Sequence, residues 1–263
     1  MSGKVRVGVG GWVFEPWRGS FYPDGLAQKR ELEFASRALT SIEINGTYYG
    51  SQKPESFARW HSETPDDFVF AVKGPRFATN RRVLAEAGQS VERFFGSGVM
   101  ELKDKLGPVN WQFMATKKLD LDDFAAFLAL LPRTIEGRTI RHAVEVRHPS
   151  FRHPDFVSLA REHGVAAVTA LESDHPEIAD LTAPFVYARL MGTEADEPHG
   201  LPPDRVSLWS DRMRRWSDGA PEVGLETVAP PAEATPRDVF FYVISGAKER
   251  NPAAAMALIA ALG

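Results

Sequence analysis

Glu145 and Arg147 stand two residues apart in the stretch Ala143-Val144-Glu145-Val146-Arg147-His148-Pro149-Ser150. On a β-strand that spacing puts both charges on one face and Val144 and Val146 on the other. Opposite charges on a face turned to the interior are costly unless they are paired or used. The stretch therefore reads as a strand over 143–150 that floors a site, ended by Pro149, which has no N–H for the ladder.

Other segments offer matching side chains at their far ends. Gly10 and Trp12 follow one apolar run, Glu43 and Asn45 a second, Lys73 a third, Gln112 a fourth and Arg189 a fifth. Glu43 and Glu145 are candidate catalytic carboxylates, able to divide general acid and base roles as in glycoside hydrolysis. Lys73, Arg147 and Arg189, with His148, form a cationic majority that favours an anionic ligand and a carboxylate acting as base. Trp12, Asn45, Tyr48 and Gln112 complete the candidate ligand-binding set. Tyr48 is suited to stacking on a sugar or base. The plainer alternative is internal pairing, such as Glu43 with Lys73, that merely fills space.

The elements that must hold these residues alternate regularly. Strands are read over 5–11, 41–45, 68–73, 109–113, 143–150, 165–169, 185–190 and 239–245. Helices are read over 26–39, from Pro54 to about Trp60, then 91–106, 120–131, 155–163, 204–216 and 252–262. Eight strands alternating with helices in 263 residues predict a single-domain α/β protein, a TIM (β/α)8-type barrel covering 1–263. The Pro- and Ala-rich stretch 217–238 reads as a surface excursion, and 75–89 as a long polar connection. In such a barrel ligands bind at the C-terminal ends of the strands, where the polar residues fall.

Composition narrows the classes. The chain is 43% hydrophobic and 25% charged, an ordinary globular balance. Its net charge of −4 argues against a nucleic-acid coat or a membrane-surface binder. A nucleic-acid-processing enzyme would have to read phosphates through Arg76, Arg81 and Arg82. Absence of cysteine excludes disulfides and thiolate chemistry. No run suits a membrane span or a signal peptide, so a cytoplasmic protein is expected. No cofactor is expected. The scattered histidines and the lack of His-Glu-x-x-His argue against a metal, with a divalent cation at Glu145 and His148 the residual option. The Gly8-x-Gly10 run lacks the third glycine of a dinucleotide loop, since Val13 occupies its place.

Several of these stretches together resemble the YecE-like family (domain of unknown function 72), whose members have a TIM-barrel fold. They are Gly8-Val9-Gly10-Gly11-Trp12, Phe21-Tyr22-Pro23, Glu43-Ile44-Asn45 with Thr47-Tyr48-Tyr49, Phe70-Ala71-Val72-Lys73 with Pro75-Arg76, Leu106-Gly107-Pro108, Glu145-Val146-Arg147-His148-Pro149-Ser150 and Tyr187-Ala188-Arg189-Leu190. The resemblance implies the barrel and a pocket at these positions, and supplies no reaction. Where the family typically ends its last strand in Phe-Asn-Asn, this chain has Val243-Ile244-Ser245, so two amides are missing from the rim. The expectation is an enzyme of hydrolase or isomerase type, by fold analogy, acting on a small anionic or sugar-like molecule. A non-catalytic ligand- or partner-binding module is the alternative.

Overall fold

In a computed structural model that describes residues 2–263, the alternating segments form a nearly closed parallel barrel of nine strands with helices outside. The strands are β1 (Val5–Gly10), β2 (Ser41–Ile44), β3 (Val69–Lys73), β4 (Leu106–Gln112), β5 (His142–Glu145), β6 (Ala166–Ala167), β7 (Thr169–Leu171), β8 (Phe185–Leu190) and β9 (Asp238–Val243). Each is hydrogen-bonded to the next in chain order except at β6 and β7, and β9 returns to β1. β6 and β7 are one expected strand broken at Val168. The first piece pairs only with β5 and the second only with β8, so the barrel closes through an interrupted segment.

The main helices outside are α1 (Glu31–Ala38), α2 (Gly46–Tyr49), α3 (Pro54–Glu63), α4 (Arg76–Thr79), α5 (Gly88–Phe95), α6 (Leu121–Ala129), α7 (Pro154–His163), α8 (Pro203–Ser217) and α9 (Asn251–Leu262). Local chemistry fixes their ends. The Asp120 carboxylate accepts from the Asp123 N–H at 3.1 Å, capping α6. α7 opens on Pro154 and closes on Gly164 at φ 63°, the usual pairing of proline inside the start and glycine past the end.

Side-chain parity divides the interior. Val7, Val9, Ile42, Ile44, Val72, Val109, Trp111 and Val144 point outward into the layer beneath the helices. Ala71, Ala143, Val168, Phe185, Tyr187, Phe240 and Tyr242 point into the barrel. Its lower end is filled with rings. Arg141 lies over Phe185 and Phe240 and pairs with Asp238 at 2.9 Å. Gly8 makes room for the wall itself, because a Cβ there would lie 1.8 Å from the Ser41 carbonyl oxygen.

Other expected elements differ as well. The 143–150 strand ends at Glu145, and the chain then leaves the barrel wall for a 3₁₀ turn at Pro149–Phe151. The helix expected over 91–106 stops at Phe95, because Gly96 to Gly98 breaks it. A 3₁₀ segment, Val99–Lys105, follows, and β4 starts at Leu106. The 75–89 connection is pinned by the short α4 and by the 3₁₀ turn Leu84–Ala87, which bury Ala78, Leu84 and Ala87. The expected excursion carries no helix or strand from Asp218 to Arg237. It is tied down by Asp180, whose carboxylate accepts from the Val228 and Ala229 N–H groups at 2.9 and 3.0 Å.

Candidate functional site

Glu43, Lys73, Asn110, Gln112, Glu145, Tyr187 and Arg189 come together inside the barrel because they occupy the inward parity near the ends of their strands. Glu43 is one residue short of the end of β2, Lys73 ends β3, Gln112 ends β4, Glu145 ends β5, and Arg189 is penultimate in β8. Pairing places Glu43 beside Ala71, Lys73 beside Asn110 and Gln112 beside Glu145.

Arg189 is the hub. Its Nη2 donates to Glu43 Oε1 at 3.0 Å and its Nη1 to Glu145 Oε2 at 2.6 Å. Asn110 Nδ2 donates to both carboxylates, at 3.3 and 3.2 Å. The Tyr187 hydroxyl donates to Glu43 Oε2 at 2.5 Å. Arg147, although off the strand, turns back to donate from Nε and Nη2 to Glu145 Oε1 at 2.9 and 2.5 Å. Lys73 Nζ donates to Gln112 Oε1, lies 3.9 Å from Glu145 Oε2 and sits under the Tyr48 ring at 5.6 Å. Internal pairing, the plainer alternative, joins Glu43 to Arg189 at 3.0 Å rather than to Lys73.

Glu43 and Glu145 are sealed, at 0% and 1% exposure. Burial alone would raise both carboxyls, but Arg189 and Lys73, then the Tyr187 hydroxyl at Glu43 and Arg147 at Glu145, outweigh it and hold both below the usual carboxylate range. Both are therefore ionised at neutral pH and hold no proton to give. Lys73 moves toward neutrality. Burial, reinforced by the charge of Arg189, lowers its ammonium to about 8. Tyr187 is raised, chiefly by burial and then by Glu43. His175, on the loop after β7, is lowered by burial and by the nearby Arg147. Two buried polar atoms in the cluster, Arg189 Nε and Asn110 Oδ1, have no partner.

The remaining expected ligand residues divide into two places. Trp12 and Asn45 line an open cleft of about 500 Å³ at the ends of β1 and β2, with Gly10, Gly11, Tyr49, Gln52, Trp60 and Lys248. Lys73, Gln112, Arg147 and Arg189 do not line it. Trp12 meets Trp60 edge to face at 5.1 Å. His148 is occupied locally, its Nδ1 accepting from the Ser150 N–H at 3.1 Å as the cap of the 3₁₀ turn. No group of three or more His, Asp or Glu that could hold a metal occurs among the described residues. No helix among them is long and apolar enough to cross a membrane.

The sequence reading missed Tyr187, Asn110 and His175 as site members. Tyr187 and Asn110 carried a signal, since each is two residues before a chosen residue on the same parity. His175 lies in a loop without periodicity and carried none.

A parallel barrel with a charged cluster at the C-terminal ends of its strands defines a TIM-barrel-like protein whose strand ends form the candidate site. Its family follows from comparison. The family model "Protein of unknown function DUF72" matches residues 6–263, and the chain belongs to that family. It is similar to "UPF0759 protein YecE" of Escherichia coli (strain K12), with 32% identity over 121 residues, 46% of this chain and 42% of that protein. The chain thus matches less than half the length of that relative. Two solved structures share the fold. They are a DUF72 family protein from Thermotoga maritima MSB8, with 21% identity, TM-score 0.70 and 97% of each chain covered, and one from Enterococcus faecalis v583, with 16% identity, TM-score 0.71, 98% of this chain and 95% of that one covered.

Proposed function

We propose that the barrel mouth binds a small anionic or sugar-like ligand and acts on it as an enzyme of hydrolase or isomerase type in the cytoplasm. The observation that carries this reading is the charge balance of the cluster. Three cationic side chains, Lys73, Arg147 and Arg189, face two carboxylates, Glu43 and Glu145. While Lys73 is protonated, below about pH 8, this excess positive charge in a poorly solvated place favours an anion. Arg147, with 23% of its side chain exposed, is the cation best placed to meet one. Glu145, ionised beside it, is the candidate base, and Glu43 supports it through Arg189.

Enclosure of both carboxylates favours a second reading, a non-catalytic ligand-binding module using the same pocket. Thermal unfolding of the wild type and of Arg147→Ala across phosphosugars, organic acids and neutral sugars tests the shared premise. A ligand at about a hundred times its dissociation constant adds about 2.7 kcal/mol of stability. Stabilisation of the wild type that is lost in Arg147→Ala supports an anion site, whereas equal stabilisation of both, or of neither, overturns it. With the ligand in hand, Glu145→Gln separates the two readings: turnover lost with affinity kept marks the enzyme, and no turnover by the wild type marks the binder.

A further inference from the structure

We propose that Lys73 is an imine-forming lysine whose Nζ takes the carbonyl carbon of a small anionic oxo compound, a 2-oxo acid or a keto- or aldo-phosphate. The inference rests on the anion site proposed above and names the substrate class for it.

Comparison with a second buried lysine separates a structural role from a reactive one. Lys105, the last residue of the 3₁₀ segment before β4, donates to the His61 and Thr64 carbonyls at 2.7 and 2.8 Å and to Thr64 Oγ1 at 3.3 Å. Its three hydrogens are spoken for by the end of α3. Lys73 has no such set. Its amide partner is Gln112, its upper side is the Tyr48 ring, and its carboxylate neighbour Glu145 lies 3.9 Å away, already engaged by Arg189 at 2.6 Å and Arg147 at 2.5 Å. Arg189 takes the short contacts that would otherwise hold an ammonium. A desolvated lysine beside other cations is the arrangement that leaves an amine unprotonated and nucleophilic, in keeping with the lowering of Lys73 to about 8. Charged groups face it from β2 (Glu43), β5 (Glu145 and, just beyond, Arg147) and β8 (Arg189).

The remaining parts of an imine site surround it. Arg147 meets the ligand's carboxylate or phosphate. The neutral amine attacks the carbonyl carbon, forming the C–N bond as the C=O π electrons move to oxygen. Both amine hydrogens end on that oxygen, which leaves as water, and a C=N bond remains. The ionised Glu145 then faces the carbon next to the imine, where a base can remove a proton and return it elsewhere, the step of an isomerase.

The test is hydride trapping in the intact protein. The wild type is incubated with pyruvate or dihydroxyacetone phosphate and sodium borohydride, and the modified lysines are mapped by peptide mass. The expected result is a reduced adduct on Lys73 at least tenfold above that on exposed Lys4 or Lys118, with a rate that rises through a midpoint near pH 8 and vanishes in Lys73→Met. Labelling of Lys73 no greater than that of Lys118 with both compounds overturns the proposal. Oxalate, an anion that forms no imine, keeps the two readings apart. Stabilisation by oxalate that needs Arg147, without trapping at Lys73, rejects the imine and keeps the anion site; trapping at Lys73 that is unchanged in Arg147→Ala upholds the amine and rejects the anion clamp.

Discussion

Arg189 holds Glu145 through a 2.6 Å contact from Nη1 to Oε2, and each residue is at least 95% buried. Removing one partner of such a pair strands the other, at a cost of about 3–5 kcal/mol. Arg189→Leu should therefore lower unfolding stability by about that amount in urea titrations. Arg189→Lys should recover little of it, because an ammonium cannot span Glu43 and Glu145 as the guanidinium fork does.

The pH dependence of stability has two arms. Glu43 and Glu145 lie below the ordinary carboxylate value of 4.5, so their contribution is complete above that pH. It is lost as pH falls below it, because the unfolded chain takes up protons first. Lys73 acts in the opposite range. Its folded value of about 8 lies below the unfolded 10.5, so the unfolded state binds more protons between them and stability rises with pH there. The wild-type stability minus that of Lys73→Met should climb between pH 8 and 10, by up to about 1.4 kcal/mol per unit. A flat difference curve would show that Lys73 titrates alike in both states.

Tyr187→Phe removes the donor to Glu43 and keeps the ring's packing against Tyr242. Hydrogen bonds to charged groups contribute about 1.5–3 kcal/mol. A loss in that range is expected in chemical denaturation, without a change in the circular dichroism of the native state.

Gly8→Ala should be among the most damaging small changes, because the new methyl meets the Ser41 carbonyl on the neighbouring strand rather than a side chain that can turn away. A loss of about 4 kcal/mol or more, or failure to fold, is expected. A melting temperature within a few degrees of the wild type would show that β1 and β2 can part at little cost.

Much of the site was legible because a strand has a period of two. Knowing that Val144 faces the outer layer forces Glu145 inward, and the same reasoning placed Glu43, Lys73, Gln112 and Arg189. The 185–190 strand was read with its observed bounds, since its six residues are all buried. Periodicity fails where the backbone leaves the ladder. Arg147 holds Glu145 from a loop rather than from the expected strand, and His148 turns to cap Ser150. The break at Val168 was not visible either, because Val165 to Thr169 is as apolar as an unbroken strand.

That break changes what the charged cluster means mechanically. β6 and β7 each hold only one neighbour, over two and three register pairs, so this is where the barrel wall is least well stitched. The strands on either side are β5 and β8, the carriers of Glu145 and Arg189. Their ion pair reaches across the gap from inside and works as a clasp on the hoop, so a ligand that draws Arg189 away from Glu145 would also loosen the hoop. Amide exchange at Val168, whose N–H donates to the Val144 carbonyl at 3.0 Å, would register that loosening.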